Sequence, residues 1–172
     1  MTIEEIYNAH KNLVYNLALQ YVQNIEDAEE ITQDVFVAAY TAMDSFKHEA
    51  KISTWLYRIT INKSLDYLRA RKRKKRFAFL SSIFSADGEL QHEGYVFNHP
   101  GVQLEQKEVL QFVFRMINDL PDSQKTALIL SKIENLSQVQ VGEIMELSPK
   151  AVESLVQRAK TNLLKKMNSE GK

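Results

Sequence analysis

Ile3, Ile6, His10, Leu13, Leu17 and Tyr21 recur at helical spacing, and Val14 and Ala18 widen the stripe. Thr2 precedes this helix and Glu5 follows three residues on, the pattern of a capping box. Asn24 is placed to cap a second helix. Its first turn holds Glu26 and Asp27, where the helix dipole favours acids. The inner stripe there is Ile31, Val35, Ala38, Ala39 and Ala42, which leaves Glu29, Glu30, Gln33, Asp34 and Val37 outside it. Residues 44–53 break the pattern and read as a loop, with Ser53 expected to cap a third helix over 54–76. That helix is apolar on two sides, Trp55, Leu56 and Ile59 on one and Ile61, Leu65 and Leu68 on the other. Arg58, Asn62 and Arg69 share a polar edge between them. A helix apolar on two sides is central and packed on both.

Periodicity lapses over residues 77–103, where Ser81-Ser82, Asp87-Gly88, Gly94 and Pro100-Gly101 punctuate the chain. This is the expected linker, although Phe77, Phe79, Leu80, Ile83, Phe84, Tyr95, Val96 and Phe97 make it too apolar for a solvated spacer. Helical spacing returns with Leu104, Val109, Phe112, Val113, Met116, Ile117 and Leu120, and Pro121 stops it. Asp122 or Ser123 is expected to cap the next helix, which Asn135 can end in the left-handed conformation. Ser137 to Gln140 is a further capping box, and Ser148-Pro149 is an N-cap followed by proline at the first helical position. The chain is therefore expected to be all-α: two small helical domains, 1–76 and 104–172, joined by a flexible linker over 77–103.

Composition sharpens this picture in two places. There is no Cys, which excludes a disulfide framework, a thiolate metal site and a Cys nucleophile. No run approaches a membrane span, and no basic-then-apolar leader pattern opens the chain, so a soluble, cytoplasmic protein is expected. The 22 basic and 22 acidic side chains cancel overall but are unevenly placed. Residues 1–68 carry 5 basic and 10 acidic groups, whereas RARKRKKR at 69–76 carries 7 basic and none acidic. Such asymmetry says more about partners than the net value does.

Two stretches suggest chemistry. Helices over 138–146 and 149–167 fit a helix-turn-helix frame, with Val141, Met145, Leu147, Val152 and Leu155 at its buried places and Gly142 where the helices cross most closely. The turn favours Gly for its positive φ, and here it is Glu146. Lys150, Glu153, Ser154, Gln157 and Arg158 fall on the outer face of the second helix, whose N-terminal half is what enters a major groove. An ordinary helical hairpin with a charged face is the plain alternative. The second stretch is the basic run, which continues a helix carrying Trp55, Tyr57, Arg58, Asn62 and Lys63. Aromatic, amide and cationic groups together suit single-stranded DNA. A solvated helix end is its plain alternative, and Trp55 by itself reads as core. His10, His48, His92 and His99 form neither HExxH nor Glu-x-x-His pairs, so no metal or other cofactor is expected. No Ser-His-acid set or P-loop supports an enzyme or a small-molecule substrate. A DNA-binding regulator independent of polymerase would usually dimerise on a palindrome, but no heptad or spare apolar face provides for dimerisation, and a monomer is expected. A helical adaptor, with an acidic helix that binds a protein and an incidental basic run, is a further reading.

DAEEITQDVFVAAY at 27–40 and FKHEAKISTWLYRITINKSLDYLRARKR at 46–73 resemble region 2 of the extracytoplasmic-function sigma factors. LPDSQKTALILSKIENLSQVQVGEIMELSPKAVESLVQRAK at 120–160 resembles their region 4. The resemblance implies a sigma factor that gives RNA polymerase promoter specificity. It implies docking of the second helix on the β′ clamp helices, through Asp27, Glu30, Gln33, Asp34 and Phe36. Reading and opening of the −10 element would fall to Lys51, Arg58, Asn62, Lys63, Arg69, Arg71, Lys72 and Arg73. The −35 duplex would be bound by Lys150, Ser154, Gln157, Arg158 and Lys160, with region 4 also touching the β flap. Family members are often restrained by an anti-sigma factor, commonly membrane-anchored, which would hold such a protein at the inner membrane face. Residues 138–140 and Glu153 depart from the family's usual residue types, which bears on the −35 sequence read. The sequence leaves open whether the two domains pack together.

Overall fold

The computed structural model describes residues 2–46, 50–84 and 104–170, and every regular element among them is helical. The chain runs α1 (Ile3–Val22), α2 (Ile25–Ala42), a 3₁₀ turn (Met43–Ser45), α3 (Ile52–Phe84), α4 (Leu104–Asn118), α5 (Asp122–Leu128), α6 (Gln138–Met145) and α7 (Pro149–Glu170). A π turn over Ile129–Ile133 continues α5. α1, α2 and α3 pack on one another as an N-terminal bundle, and α4 to α7 form the C-terminal domain.

Local chemistry sets most of the helix ends. The Thr2 hydroxyl accepts from the Glu5 amide at 3.2 Å, and the Glu5 carboxylate accepts from the Thr2 amide at 2.7 Å. Asn24 Oδ1 caps α2 by accepting from Asp27 N–H at 3.0 Å. Ser137 and Gln140 form the second capping box, and Ser148 Oγ accepts from Ala151 N–H at 3.2 Å to start α7. Each such cap supplies ~1 kcal/mol by satisfying an orphan backbone donor.

Three ends differ from the expectation. α3 begins at Ile52, with Trp55 N–H bonded to Lys51 O at 3.1 Å, so Ser53 lies inside the first turn and does not cap it. α5 has no side-chain cap. Asp122 is its first residue, and its carboxylate pairs with Arg69 and Lys125 instead. α3 also continues through residues 77–84, the first part of the stretch read as linker, and presents Phe77 and Phe79 to solvent. Tyr95, Val96, Phe97 and the rest of that stretch lie outside the described residues.

α3 is packed on both apolar sides. Leu56, Ile61, Leu65 and Leu68 are buried, Trp55 stacks on Phe46 with ring centroids 4.7 Å apart, and Ile59 is partly buried. The two domains share one core. Tyr21 of α1 is fully buried and donates to Thr126 Oγ1 of α5 at 2.8 Å. Lys125, with a side chain only 2% exposed, sits beside it, its amine 3.7 Å from Asp122. In the C-terminal domain Val141, Val152 and Val156 are buried and Met145 and Leu155 partly so, but Leu147, expected inside, is at the surface.

The turn between α6 and α7 explains why Gly142 is needed. Glu146 takes the left-handed conformation (φ 59°), and Leu147 N–H bonds back to Gly142 O at 2.9 Å. A Cβ at position 142 would stand 2.5 Å from Leu147 O, a backbone atom that cannot swing away. Alanine gains up to ~1 kcal/mol of helix propensity over glycine, but forced overpacking costs ~1–3 kcal/mol. The clash prevails, and Gly142→Ala lowers stability by about 1–2 kcal/mol in chemical denaturation; an equal or more stable variant would contradict this crossing geometry.

Candidate nucleic-acid interface

The outer face of α2 collects exposed Glu30, Gln33 and Asp34. Between and beyond them stand Val37, 65% exposed, and Tyr40, 67% exposed. Tyr40 was missed as a candidate, and Val37 was recognised only as lying outside the inner stripe. The signal was helical phase: 30, 33, 34, 37 and 40 share one face. Asp27 and Phe36 stand apart from this face. Asp27 accepts from Tyr67 O–H at 2.7 Å and from Arg71 Nη1 at 3.3 Å, which ties α2 to α3. Burial, then the bond to Asp27, pushes the Tyr67 hydroxyl well above its usual range. Phe36 is buried and meets the Tyr7 ring edge-on at 4.8 Å.

The polar edge of α3 meets the C-terminal domain. Arg58 Nη2 donates to Glu143 O at 2.7 Å and Nε to Ile144 O at 3.1 Å, while Nη1 pairs with Glu146 Oε1 at 2.9 Å. A guanidinium thus caps the C-terminus of α6, the end where the helix dipole favours a cation. Arg69 pairs with Asp66 at 2.9 Å and with Asp122 at 2.7 Å. Lys72 Nζ approaches Asn118 O at 3.4 Å. Asn62 lines the cleft between the domains with Arg58, Asp122, Ser123 and Glu146. Lys51 and Arg73 are exposed, and Lys63 is half-buried. The −10 candidates therefore divide between those gathered at this cleft and those outside it.

On the helix-turn-helix, Lys150, Gln157, Arg158 and Lys160 are exposed along α7, and Ser154 Oγ donates to Lys150 O at 3.0 Å. A groove between α6 and α7 is lined by Lys132, Ser137, Gln138, Glu153, Gln157 and Lys160. Lys132, from the π turn, was not a candidate, because only the fold brings it beside Lys160.

Burial pushes the Glu134 carboxyl above its ordinary range, and its charge contributes to raising the Tyr57 hydroxyl. No group of three or more potential metal ligands is gathered among the described residues, and no helix there is long and apolar enough to cross a membrane.

The family model for Sigma-70 region 2 matches residues 6–74, and that for Sigma-70, region 4 matches residues 113–163. The chain is 30% identical over 168 residues to the ECF RNA polymerase sigma factor SigW of Bacillus subtilis, covering 95% of this chain and 87% of that one. It is also 30% identical over 155 residues to the ECF RNA polymerase sigma-E factor of Escherichia coli, covering 88% and 78%. The fold is similar to that of CnrH, solved in complex with the cytosolic domain of CnrY, at TM-score 0.63 and 22% identity over 97% of this chain and 88% of that one. It is equally similar to the sigma factor RpoE of Bartonella quintana, solved with the anti-sigma factor NepR, at TM-score 0.63 and 21% identity over 94% of each.

A raised carboxyl pKa fixes the sign of one pH effect. The folded chain keeps the Glu134 proton to higher pH than the unfolded chain does. Stability from the neutral form is present at low pH and is lost as pH rises through the raised value. Thermal melts of Glu134→Gln should therefore lie above those of the parent at about pH 8 and converge with them near pH 4, below the ordinary carboxyl value. A glutamine variant less stable at both pH values would contradict the assignment.

Proposed function

The chain belongs to the ECF group of the sigma-70 family, and on that premise we propose how its surfaces share the work. It is a promoter-directing sigma factor of RNA polymerase. The outer face of α2 docks on the β′ clamp helices, with Val37 and Tyr40 as the apolar centre and Glu30, Gln33 and Asp34 as the polar rim. Asp27 and Phe36 serve this contact from within the bundle, holding α2 against α3 and Tyr7.

α3 reads and opens the −10 element. Arg58, Asn62 and Lys63, with Lys51 at the start of the helix, face the unstacked strand. Arg69, Lys72 and Arg73 follow its backbone, and Arg71 joins them from its place beside Asp27. Extruding a base costs a few kcal/mol and least at easily unstacked steps, so part of the selectivity comes from the DNA itself. The first half of α7 binds the −35 duplex. Ser154 and Gln157 reach base edges, and Lys150, Arg158 and Lys160 hold phosphates, joined by Lys132 across the groove. Region 4 also touches the β flap.

The observation that carries this reading is the order of the two matched regions, 6–74 and 113–163, each of which presents polar side chains on the helix its task requires. The protein works as a monomer beside the polymerase in the cytoplasm and performs no covalent chemistry of its own. An anti-sigma factor is the expected restraint, supported by the fold likeness to RpoE in complex with NepR, and a membrane-anchored one would hold the chain at the inner membrane face.

Run-off transcription with purified chain, core polymerase and genomic fragments tests the reading, with discrete chain-dependent transcripts expected. No such product, together with dimeric binding to a palindrome, would refute it. Asn62→Ala should slow promoter opening by about tenfold, the equivalent of one base contact of ~1–3 kcal/mol, while leaving −35 duplex binding nearly unchanged; equal loss of both contradicts its role.

A further inference from the structure

The C-terminal domain meets α3 with a set of oxygen acceptors. They are the carboxylates of Glu146 and Asp122 and the main-chain carbonyls of Glu143, Ile144 and Asn118. Their partners are Arg58, Arg69 and Lys72, three of the cations assigned above to the promoter strand. Asn62, assigned to an unstacked base, lies in the same cleft. To a guanidinium, a carboxylate and a phosphate are equivalent partners, each offering paired oxygens to the same fork of N–H donors. The same donors cannot serve both at once. The buried Tyr21–Thr126 bond and the burial of Lys125 between α1 and α5 make this contact part of the molecule's core rather than a chance touch of two surfaces.

We propose that the acidic edge of the C-terminal domain, Glu146 with Asp122, is an internal stand-in for promoter phosphates that holds the free chain closed over its own −10 reading face. Docking on core polymerase draws the two domains to separate sites and releases that face. The inference rests on the reading of α3 as the −10 helix. Linkage then fixes two consequences. Whatever separates the domains raises affinity for the −10 strand, and the −10 strand favours separation by the same factor. The free chain is thereby kept from settling on DNA through its basic helix alone, since sequence-independent phosphate contacts drive that kind of binding.

The absence of cysteine makes the test clean. Asn16→Cys on α1 and Lys165→Cys on α7, both exposed, take a dye pair that reports domain separation by energy transfer. Unlabelled chain is titrated onto a single-stranded oligonucleotide carrying the −10 element of a promoter fixed by run-off transcription. Transfer should be high in the free chain and fall on adding core polymerase. Glu146→Gln, which alters only an exposed side chain, should lower transfer in the free chain and tighten oligonucleotide binding about two- to fivefold, the worth of one exposed ion pair. Glu146→Gln with Asp122→Asn should tighten it by about tenfold. In the holoenzyme neither substitution should matter. Free-chain affinity untouched by both variants, or transfer unchanged by core polymerase, overturns the closure. Failure of the underlying reading is separate and visible: holoenzymes carrying Arg58→Ala or Asn62→Ala would then open the promoter as the parent does. If Arg58→Ala impairs opening while the acidic-edge variants do nothing in the free chain, only the closure falls.

Discussion

The packing of α3 between α1 and α2 on one side and the C-terminal domain on the other sets where the charged groups of this protein stand. Leu56, Ile61, Leu65 and Leu68 are buried along it, and each such side chain contributes roughly 1.5–3 kcal/mol when removed from water. With its two apolar sides committed, the helix has a narrow polar edge left. Arg58, Asn62 and Arg69 occupy that edge and so must lie where the domains meet. The basic extension from Lys72 onward passes beyond the bundle and stays exposed. A neutral chain thus presents an acidic face with an apolar centre on α2 and a cationic line on α3, and the two do not cancel because the bundle holds them on different helices.

Glu146 shows how one unfavourable residue fits that plan. The left-handed conformation costs a residue with a Cβ about 1–2 kcal/mol relative to the right-handed region, and glycine would avoid it. The exposed ion pair to Arg58 returns at most ~1 kcal/mol. The pair alone does not offset the strain, so glutamate does not optimise the helix-turn-helix in isolation. The carboxylate becomes useful only in the closed molecule, where it completes the coordination of a guanidinium already bonded to Glu143 O and Ile144 O.

Features governed by near neighbours were legible in the sequence. Both capping boxes, the Asn24 and Ser148 caps, the left-handed Asn135 and Glu146, and the two apolar sides of α3 all follow from residues within a few positions of one another. What escaped depends on distant partners. Asp122 looked like a cap because nothing local reveals that Arg69 will claim its carboxylate. Leu147 fits an inner place in the frame, but the backbone turn that brings its N–H to Gly142 O leaves its side chain at the surface. Tyr40 was overlooked because an aromatic at the end of an apolar stripe reads as core, and only the packing of α2 leaves it outside. The polar edge of α3 was named correctly from helical phase, but phase cannot say what faces it.

The central claim is that one edge of α3 serves two partners in turn, the C-terminal domain and the promoter. Asp66 lies beside that edge and shares Arg69 with Asp122, so a photoreactive p-benzoylphenylalanine in its place samples both. In the free chain, cross-links should run to the segment beginning at Asp122. In the complex with core polymerase and promoter DNA they should move to the −10 strand. Cross-links that stay within the chain after the promoter opens, or that never reach DNA, would contradict the account.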